Sequence, residues 1–151
     1  DLIAPHCKKY EDYDRVMDAG ASSKNIYFIR YADLILLYAE CLLAENDLAG
    51  AKQQVIRVRN RAKVSTPITA SNNTEMLDFI YEERMRELGM EGWRRMDLIR
   101  RGADYFAAQV DKYNPFAKGN VQPYHAFYPI PTNEINMNDG IGAEDQNEGY
   151  K

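Results

Sequence analysis

The 151-residue chain holds two cysteines, two histidines and one tryptophan, and these shortages remove several classes of function. Cys7 and Cys41 are too few for a disulfide framework, and no CxxC or Cys/His ligand spacing surrounds them. His6 and His125 are far apart and lack a partner pattern, so no metal site and no Cys-His or Ser-His catalytic pair is expected. No apolar run approaches the roughly 20 residues that span a bilayer, and no signal-peptide pattern follows Asp1. That start makes the chain read as a mature form or a piece of something longer. A basic excess is missing too: the net charge is −4 and the pI near 5.2, whereas phosphate recognition needs concentrated positive surface. The one arginine cluster, Arg94, Arg95, Arg100 and Arg101, is interleaved with Asp97. No nucleic-acid partner, no metal and no cofactor is expected.

What is present is a globular composition, 45% hydrophobic with 28% charged, ordered mainly at helical period. Residues 1–27 carry Pro5, Gly20, Ser22 and Ser23 without periodicity and read as a loop lead-in. From Arg30, RYADLILLYAECLLAE places Leu34, Leu37, Tyr38, Cys41 and Leu42 at helical spacing, so Cys41 is expected as a small buried hydrophobe. Asn46 and Asp47 break that helix, with Asp47 placed to cap a second one whose Ala51, Val55, Val58 and Ala62 share a face. A loop around Pro67 precedes a third helix from about Thr74 to Met90. A short fourth one runs from Trp93 to Arg101 and closes at Gly102. The helical core thus spans 28–102, and 103–151 is a loop-rich tail in which YPIPTNEIN suggests an extended piece with Thr132 capping a short turn. Ala39, Ala51, Val55 and Val58 recur as the small and branched residues of a tetratricopeptide unit do, except that Lys63 stands near where its proline is expected. The fold class expected is all-α, with tetratricopeptide-like helical hairpins and long irregular loops. One such hairpin cannot bury both of its faces.

ERMRELGMEGWRRMDLIRRG, residues 83 to 102, has ten charged residues in twenty, threaded through a core-forming pattern. On a wheel at about 100° per residue, Leu77, Tyr81 and Leu88 cluster with Ile80 and Met85 beside them, and Arg84 falls among them. A buried arginine must be paired, because removing one partner of a buried ion pair costs about 3–5 kcal/mol. Glu87, three residues on, is within intrahelical reach. Asp97 and Arg100 repeat the device in the next helix. Arg84, Glu87, Glu91, Arg94, Asp97 and Arg100 are therefore expected to form a semi-buried ionic lattice joining two helices across the bend at Gly92. Glu87 and Glu91, one turn apart, could alternatively act as general acid and base or hold a metal. Abundant arginine would keep both ionised, the wrong state for an acid at neutral pH, and no enzyme is expected.

Seven aromatic residues fall between 105 and 128: Tyr105, Phe106, Tyr113, Phe116, Tyr124, Phe127 and Tyr128. Loop aromatics more often fill irregular backbone than display themselves. Tyr113, Phe116 and Tyr124 are the candidates for a ligand platform, since each flanks a polar or proline-containing bend. Trp93 is expected in the core. The NDGIGAED segment fails as a calcium loop: with Gly140 at the invariant glycine, Ile135 and Met137 occupy ligand positions.

Four blocks in order, RYADLILLYAECLLAENDLAGAKQQVIRVRNRA, FIYEERMRELGMEGWRRMDLIRRG, FYPIPTNEINMN and the final QNEGY, resemble the C-terminal part of the SusD/RagB family, over roughly residues 27 to 151. The motif comprises the Arg30-Tyr31-Ala32-Asp33 helix opening, Glu83-Arg84 with Glu87, Glu91-Gly92, Arg94, Asp97-Leu98, Arg100, and a Pro-Ile-Pro tail ending in Gly149-Tyr150. The resemblance implies a single region over 1–151, incomplete by itself, and an α-helical fold with tetratricopeptide-like units. It implies non-catalytic capture of glycans, or in some members peptides, on the outer-membrane surface, for import through a partner TonB-dependent transporter. It implies a lipid anchor as well, but Cys7 is preceded by IAPH, which is no lipidation signal, so the anchor is expected outside this sequence. A generic tetratricopeptide-like interaction scaffold is the alternative.

Overall fold

A computed structural model describes residues 8–12, 22 and 24–151. Cys7, His6 and most of the expected 1–27 lead-in lie outside the described residues. The helices are α1 (Tyr31–Ala44), α2 (Leu48–Arg61), α3 (Asn73–Glu87), α4 (Arg94–Arg100), α5 (Ala103–Tyr113) and α6 (Thr132–Met137), with single 3-10 turns at Pro123–Ala126 and Ala143–Asp145. No strand occurs among the described residues, so the fold is all-α. The chain divides into two compact units, Asp1–Trp93 and Arg94–Lys151.

In the first unit, local chemistry sets the helix ends. Asn46 adopts a left-handed conformation at φ 63°, and the Asn46 and Asp47 amides donate back to the carbonyls of Leu43 and Leu42, which closes α1 in the manner asparagine permits. Asp47 then caps α2 as expected, its carboxylate accepting from the Gly50 amide at 2.8 Å. α3 starts under Asn72, whose side chain accepts from the Glu75 amide, while Glu75 accepts from the Ser71 amide and hydroxyl. These contacts serve the orphan donors of the first turn. They also hold the Glu75 carboxyl below its ordinary pKa, the Ser71 backbone bond first.

α1 and α2 form the expected antiparallel hairpin, with Ala39, Ala51, Val55 and Val58 buried between them. Asn73, opening α3, reaches Asn46 beyond the end of α1, whereas Glu87, closing α3, reaches Arg30 before its start. α3 is therefore antiparallel to α1 and parallel to α2. The loop 62–72 carries the chain back along the hairpin, tucking Ala70 and Ile68 into the same core as Met76 and Ile80.

The buried face of α1 differs from the expected one. Ala32, Ile35, Leu36, Ala39, Leu42 and Leu43 are buried, while Leu34, Tyr38 and Cys41 are exposed. α1 is apolar nearly all round, so periodicity alone does not choose its inner face. Asp33 chooses it, because this buried carboxylate turns toward Arg84 and takes its neighbours inward. Met76 similarly replaces the half-buried Leu77 at the centre of the α3 face.

In the second unit, Leu98, Phe106 and Ala126 form a small core with Ile99, Ala103, Tyr105, Val110 and Val121 packed on it. Gly102, at φ 105°, turns the chain from α4 into α5, a helix of 11 residues inside the region expected as a loop-rich tail. Thr132 is the first residue of α6 and makes no capping bond; Pro131 holds the cap position. The tail is tied down by side chains acting as backbone partners. The Gln146 amide both accepts from Ile130 N (2.7 Å) and donates to Ile130 O (2.9 Å). Asn147 Nδ2 donates to Tyr128 O, and the Tyr150 hydroxyl donates to Phe127 O. The QNEGY block thus docks on the FYPI block.

Candidate functional site

The charged motif of the first unit assembles from α1, α2 and α3 together with Lys9, Arg30 and Glu91 outside them. Arg84, 2% exposed, places Nη1 2.7 Å from Asp33 Oδ1 and Nε 3.9 Å from Glu40 Oε1. Asp33 Oδ1 is buried and lacks the alignment of a hydrogen bond, so this contact is an ion pair held by proximity. The expected intrahelical partner, Glu87, instead accepts from Arg30 Nη1 at 2.9 Å and from Arg61 Nη2 at 2.6 Å. Glu83 pairs with Arg59 at 3.0 Å and with Arg86 at 3.3 Å. Glu91 is gripped by Arg30, with Nη2 at 2.7 Å and Nε at 2.9 Å, and by Lys9 at 2.5 Å.

Arg30 and Lys9 also reach the carbonyls that end α3: Arg30 Nη2 donates to Glu87 O at 2.8 Å, and Lys9 donates to Glu87 O and Gly89 O, both at 3.0 Å. Cations are thus gathered where the orphan carbonyls and the negative pole of the helix lie. The side-chain bonds to Glu91 and Glu87 raise the Arg30 pKa against the opposing pull of burial. Burial pushes the Glu91 carboxyl up, but the bonds from Arg30 and Lys9 outweigh it and hold the pKa below the ordinary value. Glu91 is therefore an anion at neutral pH, suited to holding chain segments together and unsuited to donating a proton.

Arg30 and Asp33 belong to the lattice, although intrahelical spacing does not point to them. The available signal was complementarity between RYAD and EERMRELGMEG, a cation and an anion facing an anion and a cation. In the second unit, Asp97 is buried with Arg100 Nη2 3.4 Å away, and Arg94 is half-buried at the start of α4. Trp93 is half-buried rather than enclosed, meeting Phe28 edge-on at 5.8 Å.

The aromatic residues divide. Phe106 is buried, and Arg95 lies over its ring and over that of Tyr128, 5.1 and 4.3 Å from the two centroids, while donating to the carbonyls of His125 and Ala126. Phe116 is 95% exposed and Tyr113 45%. Tyr124 is half-buried, 4.2 Å from the His125 ring and edge-on to Tyr150 at 5.1 Å. Phe127 and Tyr128, not singled out in the sequence, are exposed as well.

Tyr124 and Phe127 line a cavity of about 700 Å³ together with Ala103, Gln122, Pro123, Asn147, Glu148 and Gly149, a size suited to a small organic ligand. Gly149 is needed there: its φ is 86°, and a Cβ would come within 2.3 Å of the Tyr124 ring. Tyr113 and Phe116 are not among the residues that line this cavity.

The SusD family model matches residues 3–150. This chain belongs to the SusD family. A SusD-like protein P25 of Formosa agariphila is 34% identical over all of this chain, which covers 30% of that protein. The starch-binding protein SusD of Bacteroides thetaiotaomicron is 32% identical over 90% of the chain and 23% of its own length. The chain therefore spans under a third of these relatives. No solved structure matches it. Among the described residues, no helix is long and apolar enough to cross a membrane.

Proposed function

We propose that this SusD-family chain is the C-terminal region of a non-catalytic capture protein. It sits lipid-anchored on the outer-membrane surface and collects oligosaccharides, or peptides, for a TonB-dependent transporter. Family membership supports the class of function, and the starch named for one relative supports a glycan ligand.

The observation that carries the reading within this chain is the separation of its chemistry. The carboxylates that could do acid-base work, Glu87 and Glu91, are committed to Arg30, Arg61 and Lys9. The second unit meanwhile displays aromatic rings, Tyr113, Phe116 and Phe127, to solvent. Fixed charges inside and rings outside suit adsorption better than turnover. The test is an array of oligosaccharides and peptides probed with the full chain, beside co-purification from outer membranes. Retention of a ligand and of a transporter is the expected result; turnover of any arrayed substrate overturns the reading.

A second reading, the interaction scaffold, is favoured by one observation. The outer face of α1 exposes Tyr31, Leu34 and Tyr38 at helical spacing. It predicts a protein partner whose binding is lost when Leu34 and Tyr38 are made polar.

A further inference from the structure

The cavity beside Tyr124 has a lining whose charge and hydrogen-bonding sense select a ligand narrower than glycans or peptides in general. Glu148 is the one charged residue among those that line it, and its exposed carboxylate has no ion pair among the described residues. Asn147 Nδ2 donates to Tyr128 O at 2.7 Å, which leaves the acceptor Oδ1 and one amide N–H uncommitted. The walls add the rings of Tyr124 and Phe127, the latter 59% exposed.

The amides of Asn147 and Gln122 can accept or donate and are neutral, so the carboxylate of Glu148 and the aromatic rings, with no cation in the lining, set the preference: they repel anions and attract positively charged N–H donors. The same unit uses this chemistry internally, where Arg95 lies over Tyr128 and Phe106. Gly149 keeps the space open, since a side chain there would collide with the Tyr124 ring.

We infer that this cavity, formed by Tyr124, Phe127, Asn147 and Glu148, is a binding site for an organic cation, the ammonium or guanidinium group of a captured ligand. The inference rests on the capture reading and narrows it. The ammonium can arrive on a lysine side chain of a peptide or on an amino sugar, two sources of one chemistry.

Titrations of the full chain, followed through the backbone amide signals of Glu148 and Gly149, separate them. The probes are N-acetyl-lysine amide, its uncharged isostere N-acetyl-norleucine amide, glucosamine and N-acetylglucosamine. At least one charged probe is expected to bind about tenfold more tightly than its neutral counterpart, and which one identifies the source. Glu148→Gln should remove that preference while the amide spectrum elsewhere stays unchanged, since the side chain is exposed, and Phe127→Ala should weaken whichever charged probe binds. Equal affinity for charged and neutral probes, a preference that survives Glu148→Gln, or no binding of any probe overturns the cation site. Array ligands held equally well by the wild type and Glu148→Gln would leave capture standing and the cation site refuted. Lysine amide bound here with an empty array would do the reverse.

Discussion

Arg84 Nη1 lies 2.7 Å from Asp33 Oδ1 across 51 residues of sequence, and both side chains are almost wholly buried. Burial raises the stakes of this pair, because removing either partner leaves the other charge with little water to turn to. Arg84→Met and Asp33→Leu should each destabilise the chain by about 3–5 kcal/mol, whereas the double variant should regain most of that loss. Urea denaturation of the four proteins in the cycle measures it. Additive losses would mean that the two residues act separately.

Glu91 gives the fold an acid limb. Its carboxyl is held below 4.5 in the folded state, so the stability it contributes is present above that value and is lost as pH falls through the lowered pKa. Glu91→Gln should lower the melting temperature at pH 7 and flatten its decline below about pH 4.5, relative to the wild type. Glu87→Gln should also lower it, and neither change should alter any turnover. Variants as stable as the wild type but deficient in a reaction would restore the catalytic reading of this pair.

Asp47 is a local matter by comparison. Replacing it with alanine removes the acceptor for the Gly50 amide and should cost about 1 kcal/mol. The effect is readable as a shift of the denaturation midpoint with an unchanged slope.

The tail should respond to one methyl group. At Gly149 the backbone is left-handed and a Cβ meets the Tyr124 ring, so Gly149→Ala combines strain with a clash and should cost about 1–3 kcal/mol. Aromatic near-ultraviolet dichroism should change with it as Tyr124 shifts against Tyr150.

Phe116 offers the cleanest test of display, since it is 95% exposed. Phe116→Ala should leave the stability within about 0.5 kcal/mol of the wild type while reducing retention on an oligosaccharide or peptide array. Unchanged retention would remove Phe116 from the platform.

Much of this architecture was legible in the sequence. The hairpin, the Asp47 cap and the turn at Gly102 follow from spacing and from residues with one strong conformational preference. The inner face of α1 was not, because Leu34, Leu37 and Tyr38 are as apolar as Ile35 and Leu36; the choice depends on a charge pair 51 residues long. The lattice was legible as a need for partners, but intrahelical spacing named Glu87 for Arg84 when the partner was Asp33. Of the platform candidates, Tyr113 and Phe116 are exposed and Tyr124 is half-buried against Tyr150. The cavity itself depends on Asn147, Glu148 and Gly149 folding back on residues 122–127, a return that no local periodicity announces.

The cations that meet α3 impose an order on the birth of the molecule. Arg30, Arg59 and Arg61 are synthesised before Glu83, Glu87 and Glu91. The nascent hairpin therefore carries three positive side chains whose partners arrive only with the last turns of α3 and the bend that follows. A chain interrupted between residues 62 and 82 lacks Glu83, Glu87 and Glu91, and leaves all three cations without these carboxylates.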